Sequence, residues 1–176
     1  MSIIKISVIT ITYNAENVIM RTLDSVLKQT FSNIEHIIID GASKDSTLLA
    51  EREYESRSCS ANNGHEIKII SEPDKGLYDA MNKGIGKATG NYLVFLNAGD
   101  VFPSSSTLET VADMIGDGEE LPGVLFGDTN IVDDNGNFLR HRRLSPPSHL
   151  NWRSFMFGML VCHQAFYART DIAKRN

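Results

Sequence analysis

The feature that most constrains this chain is a repeated unit: a run of β-branched residues, a compact polar cluster, then a segment of helical period. Ile6 to Thr12 is apolar without polar alternation, the pattern of a strand buried on both faces. Glu16 to Gln29 then sets Ile19, Leu23, Val26 and Leu27 at helical spacing. A second strand, Ile34 to Ile39, ends in Asp40-Gly41, and Ser43 and Asp45 are N-cap candidates for a helix from Ser46 to about Arg57. The polar stretch Ser56 to His65, with Asn62-Asn63-Gly64, reads as a loop. A third strand, Ile67 to Ile70, a helix from Leu77 to Ala88 and a fourth strand, Tyr92 to Leu96, repeat the unit. Strand and helix alternating in this way predict a doubly wound α/β fold with a mostly parallel sheet.

Beyond residue 100 the pattern loosens. A helix is expected over Ser106 to Ile115 and a strand over Val124 to Gly127. Asp134-Asn135-Gly136 marks a turn between Ile131-Val132 and Phe138-Leu139, and Pro146-Pro147 breaks the chain. The apolar run Phe155 to Val161 fits a buried strand, a helix piece or an interface. No linker divides the 176 residues, so a single domain is expected, with 1–100 as one half and 101–176 as a less regular second half.

In an open parallel sheet, ligands bind beyond the carboxyl ends of the strands. Those ends are polar here: Thr12-Tyr13-Asn14, Asp40-Gly41-Ala42-Ser43, Glu72-Pro73-Asp74-Lys75-Gly76 and Asn97-Ala98-Gly99-Asp100. A carboxylate at a strand end can accept from a ribose hydroxyl or a base N–H. A hard carboxylate such as Asp100 suits Mg²⁺ or Mn²⁺, which share their coordination with phosphate oxygens. Lys75 follows a proline-stiffened turn and suits a phosphate. There is no GxGxxG after the first strand and no GxxxxGK[ST], so neither a dinucleotide fold nor a P-loop is supported.

The net charge of -5 argues against a nucleic-acid partner, for which a basic stripe is expected. The one dense basic cluster, Arg140-His141-Arg142-Arg143, reads first as a solvated hairpin arm and second as a phosphate or lipid-surface patch. Cys59 and Cys162 lack metal-ligand spacing and read as two reduced thiols. No run approaches the roughly 20 apolar residues of a membrane span, and Ser2 to Lys5 carries no leader pattern. A cytoplasmic location is expected, with the inner face of the cell membrane as the variant and peripheral contact as the most the sequence supports. A homodimer stays open.

The motifs resemble those of the family-two glycosyltransferases of GT-A fold, in the bacterial group that builds cell-surface polysaccharides. The resemblance rests on Val8 to Asn14, Glu35 to Asp45, Ser71 to Ile85 and Phe95 to Asp100, in family order. It implies inverting transfer of a sugar from a nucleotide-diphosphate sugar, UDP first, to a glycan or lipid-linked acceptor, with Mn²⁺ or Mg²⁺. Thr12, Tyr13, Asn14 and Glu16 are similar to residues lining the nucleotide pocket, and Asp40 to the acid that holds uracil or ribose. Lys75 and Asn82 would orient the diphosphate or the loop over it, and Asn97 is counted with the nucleotide-binding residues. Asp100 matches the metal-binding acid of the family's DxD motif, with Asn97 where many members carry the leading Asp and Gly99 where they often carry another.

The resemblance also implies an acidic base after His163-Gln164-Ala165-Phe166. Asp171 lies in the right direction without an acidic companion, so the base is expected beyond Asn176, with Asp171 and Asp128 as the in-chain candidates. Two other readings stand beside the transferase: a nucleotidyltransferase, and a non-catalytic nucleotide-sugar-binding module. Several side chains carry two readings. Asp128 is a turn residue or an acceptor-side acid. His163 is a hydrogen-bonded buried histidine or a ligand contact, and Trp152 fills the core or stacks on a sugar. Tyr78, Met81 and Ile85 read as packing.

Overall fold

The computed structural model describes residues 4–118, 120–133, 136–147, 151–156 and 160–175, with the side chains of Trp152 and Phe155 outside that set. The elements run β1 (Ile6–Thr12), α1 (Ile19–Leu27), β2 (Ile34–Asp40), α2 (Thr47–Ala61), β3 (Glu66–Ser71), α3 (Leu77–Lys87) and β4 (Tyr92–Phe95). They continue with α4 (Thr107–Ile115), β5 (Val124–Phe126), β6 (Asn130–Val132), β7 (Phe138–His141), β8 (Phe166–Arg169) and α5 (Thr170–Ala173). Two 3₁₀ turns, Trp152–Phe155 and His163–Ala165, precede β8.

Six strands form one sheet in the order β3-β2-β1-β4-β8-β5. The first four are parallel, as the β-branched runs predict. β8 enters antiparallel between β4 and β5, a placement no local pattern announced. Every residue of β1 and β2 is buried, which explains their lack of polar alternation. Ile6, Val8, Tyr92 and Val94 pack on one face under α1 and α4, through Val26, Leu108 and Ile115. Ile9, Ile11, Ile37, Ile39, Leu93 and Phe95 pack on the other face under α3, through Ala80, Met81 and Ile85. Gly84 lets α3 sit close: a Cβ there would stand 2.4 Å from Ile9 Cγ2. At the amino-terminal edge, buried Glu35 binds Ser7, Thr89 and Lys68, tying β1, β2, β3 and the turn before β4. Burial raises its pKa, but these hydrogen bonds outweigh it and hold the group at about 2.

Three expectations need correction. α1 starts at Ile19, not Glu16, because Glu16 caps a neighbouring loop. α2 continues past Arg57 to Ala61 and stops at Asn62, which takes the left-handed conformation at φ 48°. Its buried face is Thr47, Glu51, Tyr54 and Ser58, so no apolar stripe advertised its length. Tyr78, read as packing, is exposed, whereas Met81 and Ile85 pack as expected. The β6–β7 hairpin forms, and the Asp134-Asn135 part of its turn lies outside the described residues. In the apolar run from Phe155, residues 157–159 and the Phe155 side chain also lie outside them, as does the side chain of Trp152. No helix among the described residues is long and apolar enough to cross a membrane. Cys59 and Cys162 are free thiols.

Candidate active site

Register alone assembles the first wall of the site. Thr12 pairs with Asp40 across β1 and β2, and Asp40 pairs with Ser71 across β2 and β3, so the three stand in one row at the carboxyl edge. The Asp40 carboxylate is buried and occupied. Ser43 donates to it from its backbone N (3.1 Å to Oδ2) and from its hydroxyl, and Ser71 Oγ donates at 2.6 Å. Thr12 Oγ1 is buried and has no hydrogen-bond partner among the described residues. Such an orphan at a strand end is what a ligand hydroxyl or amide would satisfy.

Two loops lace together above this row. Asn14, at φ 48°, accepts from Lys44 N at 2.9 Å while its own N donates to Ser43 Oγ at 2.8 Å. Glu16 accepts from Ser46 N at 2.9 Å, and Asp45 accepts from Glu16 N at 3.2 Å. The side chains of Asn14 and Glu16 therefore hold the loops in this structure. Tyr13 is exposed and leans over Gly41, where a Cβ would stand 3.2 Å from Tyr13 Cδ2 and 2.7 Å from Asp74 Oδ2. The open backbone at Gly41 is thus taken up by protein, not held free for ligand. Lys75 is exposed after β3 at the same edge, and Asn82 is exposed on α3. Neither side chain makes a hydrogen bond among the described residues.

The second wall is the loop after β4. Ala98 N donates to Ile11 O, which carries the loop alongside β1. Gly99 is gripped from α1: its N donates to Thr22 Oγ1 at 2.8 Å and its O accepts from Arg21 Nε at 2.5 Å. Its φ of +99° favours glycine, which accounts for glycine at this position of the motif. From the other side, Asn97 Nδ2 donates to His163 Nε2 at 3.0 Å and Gln164 Nε2 donates to Asp100 Oδ2 at 2.8 Å. Burial lowers the His163 pKa, against a rise from Asp100, so the ring accepts as neutral imidazole. His163 is thus hydrogen-bonded to Asn97 but only half-buried.

Behind both walls runs a buried polar line. His36 bonds Tyr54 Oη at 2.7 Å and Thr10 Oγ1 at 2.9 Å, and Thr10 Oγ1 donates to Leu96 O at 2.8 Å. Because the Thr10 proton is committed to Leu96, His36 donates from Nε2 and accepts from Tyr54 at Nδ1. Burial holds the ring pKa down at about 3, so this line is neutral.

The donor set bears on a cation. Among the described residues no group of three or more His, Cys, Asp or Glu could hold a metal ion. Asp100 Oδ1 makes no hydrogen bond among them, and Asn97 Oδ1 is buried without a partner. One free carboxylate oxygen, on Asp100, fits a hard divalent ion that takes its other ligands from diphosphate and water, and does not fit an all-protein cage.

The two candidate bases separate. β8 runs antiparallel and pairs Arg169 with Tyr92 at the start of β4, so Asp171 stands at the opposite edge, bound to Arg169 at 2.6 Å and Arg175 at 3.3 Å. It is removed from the site. Asp128 follows β5, whose end lies beside Phe166 and Ala165, so it is exposed at the carboxyl edge. In the basic cluster, Arg142 is half-buried and donates to Leu144 O and Leu160 O, so it is not simply a solvated arm; Arg140 and Arg143 are exposed. Residues that sequence reasoning missed are Ser71, Thr22, Gln164 and Glu51. All but Glu51 act through partners 31 to 77 positions away, which no local motif reveals.

A family model described as glycosyl transferase family 2 matches residues 7–174. A PGL/p-HBAD biosynthesis glycosyltransferase of Mycobacterium bovis is 33% identical over 166 residues, covering 94% of this chain and 59% of that protein. The chain thus spans about three fifths of that relative's length. Staphylococcus aureus TarS 1-349 in complex with UDP superposes with TM-score 0.71 at 24% identity, covering 98% of this chain and 48% of that one. The mannosyltransferase PcManGT of Pyrobaculum calidifontis, in complex with GDP-Man and Mn²⁺, superposes with TM-score 0.59 at 25% identity, covering 70% and 35%.

Proposed function

The chain belongs to glycosyl transferase family 2 and has the GT-A fold, and from that premise we propose that it binds a nucleotide-diphosphate sugar for inverting transfer. The acceptor is a hydroxyl of a glycan or lipid-linked acceptor in surface polysaccharide synthesis. One observation carries the reading: Thr12, Asp40 and Asp100 converge on one sheet edge, with an orphan hydroxyl at Thr12 and an unbonded oxygen on Asp100. UDP is the first nucleotide to try, since TarS of the same fold is bound to it.

The chain's own residues divide the work. Thr12 Oγ1 and the Asp40 carboxylate meet the nucleoside, with a ligand N–H or hydroxyl replacing one of the serine donors on Asp40. Tyr13 offers an exposed ring beside them. Lys75 and Asn82 serve the diphosphate side. Asp100, with Asn97 beside it, holds a divalent cation, Mn²⁺ or Mg²⁺, as the Mn²⁺ complex of PcManGT supports for this fold. When bound, that ion stabilises the negative charge of the departing diphosphate. Asp128, exposed at this edge with Oδ1 accepting from Thr129 N, is the in-chain acid for an acceptor hydroxyl.

A panel of UDP, GDP and dTDP with and without Mn²⁺, read by thermal shift, tests this. A nucleotide at 100 times its dissociation constant stabilises the fold by about 2.7 kcal/mol. No response to any nucleotide would sink the site. The removal of Asp171 favours one second reading, a binding module without turnover. Steady hydrolysis of UDP-sugar by the chain would dismiss it.

A further inference from the structure

A single carboxylate must be well oriented to serve as a metal ligand, because no second acid constrains the ion. We propose that Gln164 is the positioning residue for Asp100, an inference that rests on the assignment of Asp100 to the cation. The Gln164 amide donates to Asp100 Oδ2 at 2.8 Å, while Cys162 Sγ donates to Gln164 Oε1. The thiol fixes which end of the amide faces the acid. One carboxylate oxygen is thus held, and Oδ1 is left for the ion.

The choice of residue matters. A lysine or arginine in this place would neutralise the carboxylate and repel a cation. A neutral amide orients Oδ2 without cancelling its charge. The turn carrying Gln164 is itself anchored: Phe166 pairs with Phe126, Ala168 with Leu93, and Gly127 N donates to Ala165 O at 2.9 Å. The adjoining His163 grips Asn97. The turn before β8 therefore holds the Asn97 to Asp100 loop at both ends, and α1 holds its middle through Gly99.

The test titrates Mn²⁺ into the full chain with saturating UDP, by calorimetry and by the electron paramagnetic resonance of bound Mn²⁺. Gln164→Leu is expected to weaken Mn²⁺ about 10- to 100-fold, the usual effect of losing an outer-sphere hydrogen bond. Metal-free UDP affinity and melting temperature should stay at wild-type values. Cys162→Ala should give a smaller loss, and Cys162→Ser, whose hydroxyl can still donate to Oε1, should restore most of it. Wild-type Mn²⁺ affinity in Gln164→Leu overturns the proposal. If Gln164→Leu does not fold, equal Mn²⁺ affinities for Cys162→Ala, Cys162→Ser and wild type overturn it instead. If wild type shows no UDP-dependent Mn²⁺ binding while UDP alone binds, the Asp100 assignment itself fails, and this proposal with it.

Discussion

Asp40 ends β2 and Asp100 lies in the loop after β4, the strands on either side of β1, yet the structure treats the two acids in opposite ways. Asp40 is fully buried, and Ser43 and Ser71 supply donors to both of its oxygens. Asp100 is half-buried, with one oxygen held by a neutral amide and the other unbonded. A saturated buried carboxylate organises its surroundings: it fixes the loop at Ser43, and through Ser43 Oγ it fixes Asn14. A half-saturated one keeps charge available for something outside the protein. The same residue type is therefore scaffold at Asp40, while Asp100 keeps the free oxygen that the proposed cation role requires.

Substituting each acid separates these roles. Asp100→Ala should remove the whole Mn²⁺-dependent part of UDP affinity, on the order of 100-fold or more, while changing stability by less than about 0.5 kcal/mol. Asp40→Asn leaves serine donors facing an amide nitrogen, so it should cost about 1–3 kcal/mol of stability and weaken UDP equally with and without Mn²⁺. Calorimetric titration and chemical denaturation read both. If Asp40→Asn proved neutral and Asp100→Ala destabilising, the assignment of the roles would be reversed.

The Asp40 corner carries a second acid that sharpens the contrast. Glu51 lies fully buried on α2, with neither carboxylate oxygen hydrogen-bonded among the described residues. Burial, and then the charge of Asp40, raises its pKa from 4.5 to about 8. The folded state thus holds this proton more tightly than the unfolded chain. Its contribution is complete below pH 4.5 and is lost as pH rises through 8. Wild-type stability should fall across that window, and Glu51→Gln should flatten the fall, gaining on the order of 3 kcal/mol over wild type near pH 8. Denaturation curves at pH 5, 6.5 and 8 measure it. Parallel pH profiles for the two proteins would show that Glu51 titrates normally.

This corner also marks what the sequence could and could not disclose. Strands buried on both faces announce themselves through apolar runs, so β1, β2 and β4 were readable, and the half-buried edge strand β3 showed as the short run Ile67 to Ile70. Helix α2 was not, because its inward face is Thr47, Glu51, Tyr54 and Ser58, and burial of such residues has no periodic apolar signature. Asp40 and Asp100 were legible as strand-end acids. Their opposite environments were not, since Ser71 and Gln164 reach them across 31 and 64 positions. Nor did local pattern show that β8 would insert antiparallel, and the direction of that strand decides where Asp171 falls.

Asp171 gives the smallest expected effect and the sharpest test of that direction. β8 leaves the carboxyl edge at Phe166 and ends at Arg169 beside Tyr92, so α5 begins at the amino-terminal edge. There Asp171 is exposed and bonded first to Arg169 and then to Arg175; hydrogen bonding from Arg169 leads the lowering of its pKa. An exposed pair of this kind contributes little to stability, and no chemistry at the Asp40 and Asp100 edge can reach it. Asp171→Asn should therefore leave UDP affinity, Mn²⁺ dependence and any sugar transfer at wild-type values. A loss of transfer in this variant, with folding and UDP binding intact, would put β8 in the wrong direction and return Asp171 to the list of bases.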